Sequence, residues 1–505
     1  MSSKSDVFLE EARLGPRSSI LIECEEMPNL PRLIRRFKEY VLTDIAHAVM
    51  LTETGIISPQ RGATLLSGLI LMWESEGKGF PYLPNVGSFL VQTEHFLGEH
   101  IDEDVAGRLQ TGRSRNDQSA EAERLYLRDL LLDVMKHLIL LQEATLSQAT
   151  SHADTLMPGY THLQHAQPTT FGHHLMRYAA AFDRDLDRLA GAFTHVNLGS
   201  LGGAAMAGTS WPIDRIRTAE LLGHDGLAIN SSDAGGFARD YIEGTVAALS
   251  ILMANMGRLA KDLYVWSSWE FGYVQVADEL AGTSSIMPQK KNPHSLERIK
   301  ALSGQANSWL ATVLGTQNSV VSTDLDLTFA DDALSGMGDA TIQSLRLAST
   351  SIETIEINAG RMADSAGAYW STTSHLADEL VRRYDVSFRS AHHIIGRFVR
   401  DSIAAGKTPA DVDANDLFQA GQEMAGIKLD MSTLELREAL DAHAFLHSRV
   451  SIGSVNPSET NAHAESLRES LKKHRDSCER AKIKVDKSLN DLLHCARSIA
   501  ANTRS

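Results

Sequence analysis

Proline is scarce in this chain, 13 residues in 505, and aromatic side chains supply only 6%. Few helix breakers leave room for long uninterrupted helices. Cysteine is nearly absent: Cys24, Cys478 and Cys495 are odd in number, with two far from the first. No disulfide framework is expected from them, and a reducing, cytoplasmic setting fits. An excess of basic charge is also missing. Lys and Arg number 48 against 64 Asp and Glu, a formal charge of −16. That excludes the basic field a nucleic-acid or anionic-membrane surface would need. It leaves open a small anionic substrate, because a few local cations can dominate one pocket. No run of about 18 uncharged apolar residues suggests a membrane span. The opening residues, MSSKSDVFLEEARLG, lack the apolar stretch of a signal peptide. Period-two alternation with β-branched enrichment, the strand signal, is rare throughout.

What is present is helical periodicity. Between Gly112 and Pro158 there is neither Gly nor Pro, and Leu127, Leu131, Val134, Leu138 and Leu141 recur at spacings of three and four. This predicts one long helix. After Pro168 the pattern resumes with Phe171, Leu175, Tyr178, Phe182, Leu186, Leu189 and Phe193. A third helix, Asp240 to Ser267, is apolar on nearly every side and must be surrounded by others. A weaker run covers Gln343 to Ile357, and the last 40 residues read as one amphipathic helix. The expected fold is all-α, with three mostly helical domains: residues 1–113, a central long-helix bundle at 114–366, and 367–505. Apolar seams of this length often continue across a subunit boundary, so an obligate oligomer is expected.

Three segments place polar and cationic groups where a plain bundle would place leucine or a short turn. In TGRSRND, residues 111–117, Arg113 and Arg115 can fork onto a carboxylate and Asn116 can donate an amide. Ser114, Asn116 or Asp117 can equally be the N-cap of the long helix. In MPGYTHLQHAQPTT, residues 157–170, Thr161 and His162 stand side by side near Gln164 and His165. Histidine is the natural proton carrier near neutrality. The plainer reading is a polar turn linking two helices, and the HxxH pair lacks the thiolates or carboxylates of a zinc site. In AGTSSIMPQKKNP, residues 281–293, glycine and two prolines imply a shaped loop with Ser284 and Ser285 beside Lys290 and Lys291. A hydroxyl near cations and backbone donors can act through its alkoxide. Lys290 and Asn292 can stabilise charge on a substrate carboxylate. An exposed Lys-rich loop is the alternative.

These three segments, in this order and at these separations, resemble the signature regions of argininosuccinate lyase, in the superfamily of fumarase, aspartase and adenylosuccinate lyase. The likeness runs from about residue 40 to the end and includes GTSWPIDR at 208–215, SSDAGGFARDY at 231–241 and LYVWSSWEFGYV at 263–274. The form QKKN resembles argininosuccinate lyase, whereas fumarase and aspartase usually show GKVN or AKVN. The resemblance implies a five-helix central bundle, a homotetramer with a twenty-helix core, and active sites that gather the three segments from three subunits. It implies elimination of fumarate, a small dicarboxylate, from an N-substituted aspartate, with no metal and no organic cofactor. Ser284 would remove the proton beside a substrate carboxylate, and Lys290 and Asn292 would hold the doubly charged intermediate. His162, supported by Thr161, would serve protonation of the leaving nitrogen. Ser114, Arg115, Asn116, Gln164 and Arg239 would bind substrate.

Some positions depart from that pattern. Thr283 replaces the Gly before the serine, Gln110 replaces a His before TGRSRND, and His294 replaces the Asp after KKNP. Along 319–329, Val321, Asp326 and Phe329 fall where a Tyr, a Gln and a Lys contact the amino-acid half of argininosuccinate. Asn29 and Leu33 stand near the places of an N-terminal Ser and Asp. The fumarate-forming half is intact and the leaving-group half altered, so a different amine is expected. A catalytically silent helical tetramer, as some lens crystallins of this family are, is the competing reading.

Overall fold

The computed structural model describes residues 18–84, 88–319 and 326–501. Long helices dominate it, as their periodicity predicts. An N-terminal group comprises α1 (Phe37–Glu53), α2 (Pro59–Ser75) and α3 (Phe89–His100). The central unit begins with α4 (Arg115–Ser151), whose 37 residues give an axis of about 55 Å. A β-hairpin follows, β1 (Leu156–Thr161) and β2 (Gln164–Thr170). Then come α5 (Phe171–Val196) and α6 (Asp240–Trp266). A short strand pair, β3 (Gly282–Thr283) with β4 (Lys291–Asn292), precedes α7 (His294–Ala306). The helix α8 (Asp326–Thr354) extends well upstream of the run read at Gln343.

Two of these helix starts have a clear local cause. Ser114 caps α4 in a capping box with Asp117, so two orphan N–H groups are satisfied reciprocally. Thr170 caps α5 by accepting from the N–H of His173 at 3.0 Å. Gly172 lies against the end of α4, where a Cβ would meet the Ala149 carbonyl at 2.3 Å. Only glycine allows that approach. The α6 helix, apolar all round, sits against α4, α5, α7 and α8, and Leu249, Leu252 and Met253 are fully buried.

The core divides by region. One cluster joins the long helices from Leu127 to Met362. A second gathers α1 to α3. A third is confined to residues 370–440. The last helix, α9 (Pro457–Ala501), does not join that third cluster. It runs back along the molecule, giving Leu467 and Leu471 to the central core and Leu492 and Ala496 to the N-terminal one. Among the described residues, no helix is long and apolar enough to cross a membrane.

Because α4, α5 and α6 alternate in direction, the conspicuous polar segments fall at two opposite ends of the bundle. The start of α4, the end of α5 and the start of α6 meet at one end, where Arg124 donates to the His195 carbonyl at 2.8 Å and Tyr241 to Glu123 at 2.6 Å. The hairpin and the residues after α6 meet at the other, where the Tyr160 and Tyr273 hydroxyls lie 2.6 Å apart.

Candidate functional site

At the first end, residues 111–117 enter α4 over a buried ion pair. Arg113 Nη1 lies 2.6 Å from Asp44 Oδ1, and neither side chain reaches solvent. Gln118 donates to the same Asp44 oxygen at 2.7 Å. Arg113 is therefore committed to a protein carboxylate and does not fork onto a ligand, which corrects the expectation from sequence. His47 Nε2 donates to the Thr111 carbonyl at 2.9 Å. Burial, with the Arg113 charge behind it, holds this imidazole well below its usual pKa and so neutral. Capping leaves neighbouring polar groups uncommitted here. Ser114 is the N-cap, yet Arg115 is left exposed in the first turn with Asn116 half-buried beside it.

Two carboxylates of α4, one turn apart, fix the glycine-rich loop that follows α5. Asp117 accepts from Ser114 N at 2.7 Å, Gly202 N at 2.9 Å and Ala204 N at 3.2 Å. Glu121 accepts from Ser200 N at 2.5 Å and Leu201 N at 3.2 Å, and also pairs with His224. The partners of Glu121 outweigh the opposing effect of burial and keep its carboxyl low. Arg239 lies nearby, 8% exposed, with Nη1 3.2 Å from Glu123 Oε2 and Nε donating to the Gly236 carbonyl. Its charge is met by these protein groups.

At the other end, residues 157–170 are a β-hairpin rather than the irregular link expected between helices. Its two-residue turn is His162–Leu163, both at positive φ, 55° and 58°, the backbone of a tight hairpin turn. Thr161, His162 and Gln164 all stand exposed at the tip. A non-glycine pair in this conformation carries strain of order 1 kcal/mol per residue. The body of the hairpin holds it, through Tyr160–Tyr273 and the edge contact of the Tyr160 ring on Phe271.

The third segment closes a seven-residue loop, Ser284 to Lys290, on the two pairs Gly282–Asn292 and Thr283–Lys291. Pairing brings Ser284 and Lys290 to the same mouth of the loop. The Ser284 hydroxyl oxygen accepts from Met287 N at 3.1 Å and Ile286 N at 3.4 Å. Backbone donors aimed at an oxygen favour its anionic form. The two lysines differ: Lys291 Nζ is 2.7 Å from Asp278, while the exposed Lys290 makes no ion pair among the described residues. His294 lies against Gly282, where a Cβ would come within 1.9 Å of its ring.

Within one chain these groups do not converge. Arg115 and Asn116 open α4, whereas the hairpin follows its far end, about 55 Å along the axis. The Ser284 loop follows α6 at the hairpin's end. Asp44, His47, Asp117 in its loop-holding role, Glu121 and Asp278 are supports that the motifs did not single out. Their partners lie far off in sequence, as with Asp44 and Gln118, 74 residues apart. Val321 and the side chains of Asp326 and Phe329 lie outside the described residues. Of the N-terminal pair, Leu33 is buried and Asn29 donates to the Glu25 carbonyl at 2.9 Å.

Comparison with known proteins finds relatives along nearly the whole chain. The family model described as Lyase matches residues 85–307, and that described as Argininosuccinate lyase C-terminal matches 370–447. An argininosuccinate lyase of Methanocaldococcus jannaschii is 38% identical over 458 residues, 90% of this chain and 93% of its own. That of Methanococcus aeolicus is 38% identical over 495 residues, 97% of this chain and all of its own. Among solved structures, an EDDS lyase variant with bound fumarate superimposes with a TM-score of 0.85 at 31% identity, over 97% of this chain and 98% of that one. An EDDS lyase in complex with formate gives 0.85 at 30% identity, over 99% of both chains.

Proposed function

The chain belongs to the argininosuccinate lyase family of the fumarase and aspartase superfamily, and we propose that Ser284 is the base of its reaction. The protein is a carbon–nitrogen lyase that eliminates fumarate from an N-substituted aspartate. The observation that carries the assignment of the base is the Ser284 hydroxyl, which receives two backbone N–H groups at the mouth of the loop that presents Lys290. As an alkoxide it takes the proton from the carbon beside the substrate carboxylate. The electron pair moves into that carboxylate, where Lys290 and Asn292 meet the second negative charge. The carbon–nitrogen bond then breaks as the pair returns to form the double bond of fumarate. The leaving nitrogen takes up a proton with the help of His162, which Thr161 flanks. Arg115, Asn116, Ser114 and Gln164 hold the substrate.

The separation of Arg115 from Ser284 within one chain supports a site shared between subunits of a homotetramer. Three unpaired cysteines support a reducing, cytoplasmic compartment. For the amine, the altered leaving-group half supports a partner other than arginine, and the likeness to an EDDS lyase with bound fumarate supports a fumarate product. The test is ultraviolet absorbance of fumarate on mixing the protein with argininosuccinate and a panel of N-substituted aspartates. Fumarate release from another member of the panel at higher kcat/KM than from argininosuccinate is expected. A kcat/KM for argininosuccinate above about 10⁴ M⁻¹s⁻¹, within the ordinary enzyme range, would refute the altered-amine reading. No fumarate from any member would refute the choice of substrates.

A further inference from the structure

Beneath the hairpin, α5 and α6 line a cavity of about 310 Å³ that opens to solvent. On α5 it is lined by His174, Arg177 and Tyr178, and on α6 by Arg258, Lys261 and Asp262. Each set has the spacing i, i+3, i+4, so each presents one helix face to the cavity. The charges do not balance. Asp262 is fully engaged: it accepts from Tyr178 Oη at 2.5 Å and Arg177 Nη2 at 2.8 Å, and His174 Nε2 lies 3.3 Å away. Burial opposes its ionised form, but the hydrogen bonds from His174 and Tyr178 and the Arg177 charge hold its carboxyl below the usual range. Burial in turn depresses the His174 imidazole, which remains neutral. Arg177 and Asp262 therefore cancel. Arg258 and Lys261, neighbours on one helix face, have no carboxylate within ion-pair distance among the described residues.

Arg258 and Lys261 are both exposed and stand one turn apart, where like charges repel weakly, so an anion seated between them would be favoured. No carboxylate other than Asp262 lines the cavity. We propose that the cavity beneath the hairpin, with Arg258 and Lys261 as its free cations, is a ligand site for one small dianion per chain. A four-carbon dicarboxylate and inorganic phosphate share that chemistry, and both fit the volume. The site also touches the hairpin directly. Tyr160 and Leu163 line it, and Leu163 follows His162 in the turn. An occupant therefore braces the underside of the turn that carries His162. The existence of the site does not depend on the proposed reaction; only its effect on turnover does.

The test compares the assembled wild-type protein with the double variant R258Q/K261Q by calorimetric titration with succinate, phosphate and acetate. The double variant is expected to bind one succinate fewer per chain, with affinity at this site reduced at least about tenfold, as loss of charge-assisted contacts requires. Displacement of that succinate by phosphate marks a general dianion site; failure of phosphate to displace it marks a dicarboxylate site. Lyase turnover in the wild type should respond to succinate beyond simple competition, and that response should vanish in the double variant while kcat/KM without succinate stays unchanged. Equal succinate stoichiometry and affinity in both proteins overturns the proposal, as does displacement by acetate at equal concentration. If the double variant does not assemble, K261Q alone serves with the same readouts. A protein that releases no fumarate yet loses one succinate equivalent in the variant would defeat the proposed reaction and leave this site standing.

Discussion

The two ends of the helical bundle treat charge in opposite ways. Where α4 begins, charged groups are buried and cross-paired: Arg113 with Asp44, Arg239 with Glu123, Glu121 with His224, and Asp117 with three backbone amides. At the hairpin end, Thr161, His162, Gln164 and Lys290 stand in solvent. A buried pair broken on one side leaves an uncompensated charge, so the first end is costly to disturb and fixes backbone positions. The second end holds reactive groups at little cost to the fold. The contrast suggests how a multi-subunit site stays dependable. In the proposed shared site, one chain would supply a rigid platform carrying Arg115 and Asn116, and other chains would bring loops and hairpin tips to it.

The largest effect should come from breaking the platform. Asp44→Ala leaves Arg113 buried without its carboxylate and removes the acceptor of Gln118. A loss of roughly 3–5 kcal/mol in stability is expected, the usual cost of removing one partner of a buried pair. Chemical denaturation would measure it, and a loss below about 1 kcal/mol would mean the pair is not buried as described. By contrast, Ser284→Ala should leave stability within about 0.5 kcal/mol, the range of surface changes. Turnover should nevertheless fall at least about 10²-fold, the low end for losing a general base. Near-normal turnover would exclude Ser284. Mixed assemblies of Ser284→Ala and Arg115→Ala chains should recover activity that neither has alone, because some sites then draw both intact residues from different chains. No recovery on mixing, with mixed assemblies demonstrated, would place the whole site within one chain.

This contrast was only partly legible in the sequence. The long helices were readable because their apolar spacing and lack of Gly and Pro survive without tertiary information, as in residues 113–157. The hairpin was not, because Pro158, Gly159 and Pro168 interrupt its strands and its turn is His162–Leu163 rather than the Asn-Gly type that usually marks one. Ser284 and Lys290 could be named from their motif, but their meeting at the loop mouth depends on the short pairing of β3 and β4. The engagement of Arg113 is not legible in its motif because its partner, Asp44, lies on a helix far upstream. Motifs expose residue types at fixed spacing; they do not reveal which of those residues another part of the chain has already engaged.

A final, smaller effect sharpens the description of the platform end. Glu94 on α3 is raised to about 7, first by burial, with the Arg113 charge opposing and the Asp44 charge adding to the rise. Its folded-state value lies above the ordinary carboxylate value of 4.5, so the folded protein holds this proton more tightly than the unfolded chain does. The stability it contributes is full below about pH 4.5 and is lost as pH rises through about 7. Glu94→Gln keeps the shape and removes the ionisation. The variant should therefore gain on the wild type between pH 5 and pH 8 by on the order of 1–3 kcal/mol, the equivalent of a shift of this size discounted for partial exposure. Denaturant midpoints at the two pH values measure the gain. An identical difference between variant and wild type at both would show that Glu94 ionises in the folded protein as freely as in the unfolded chain.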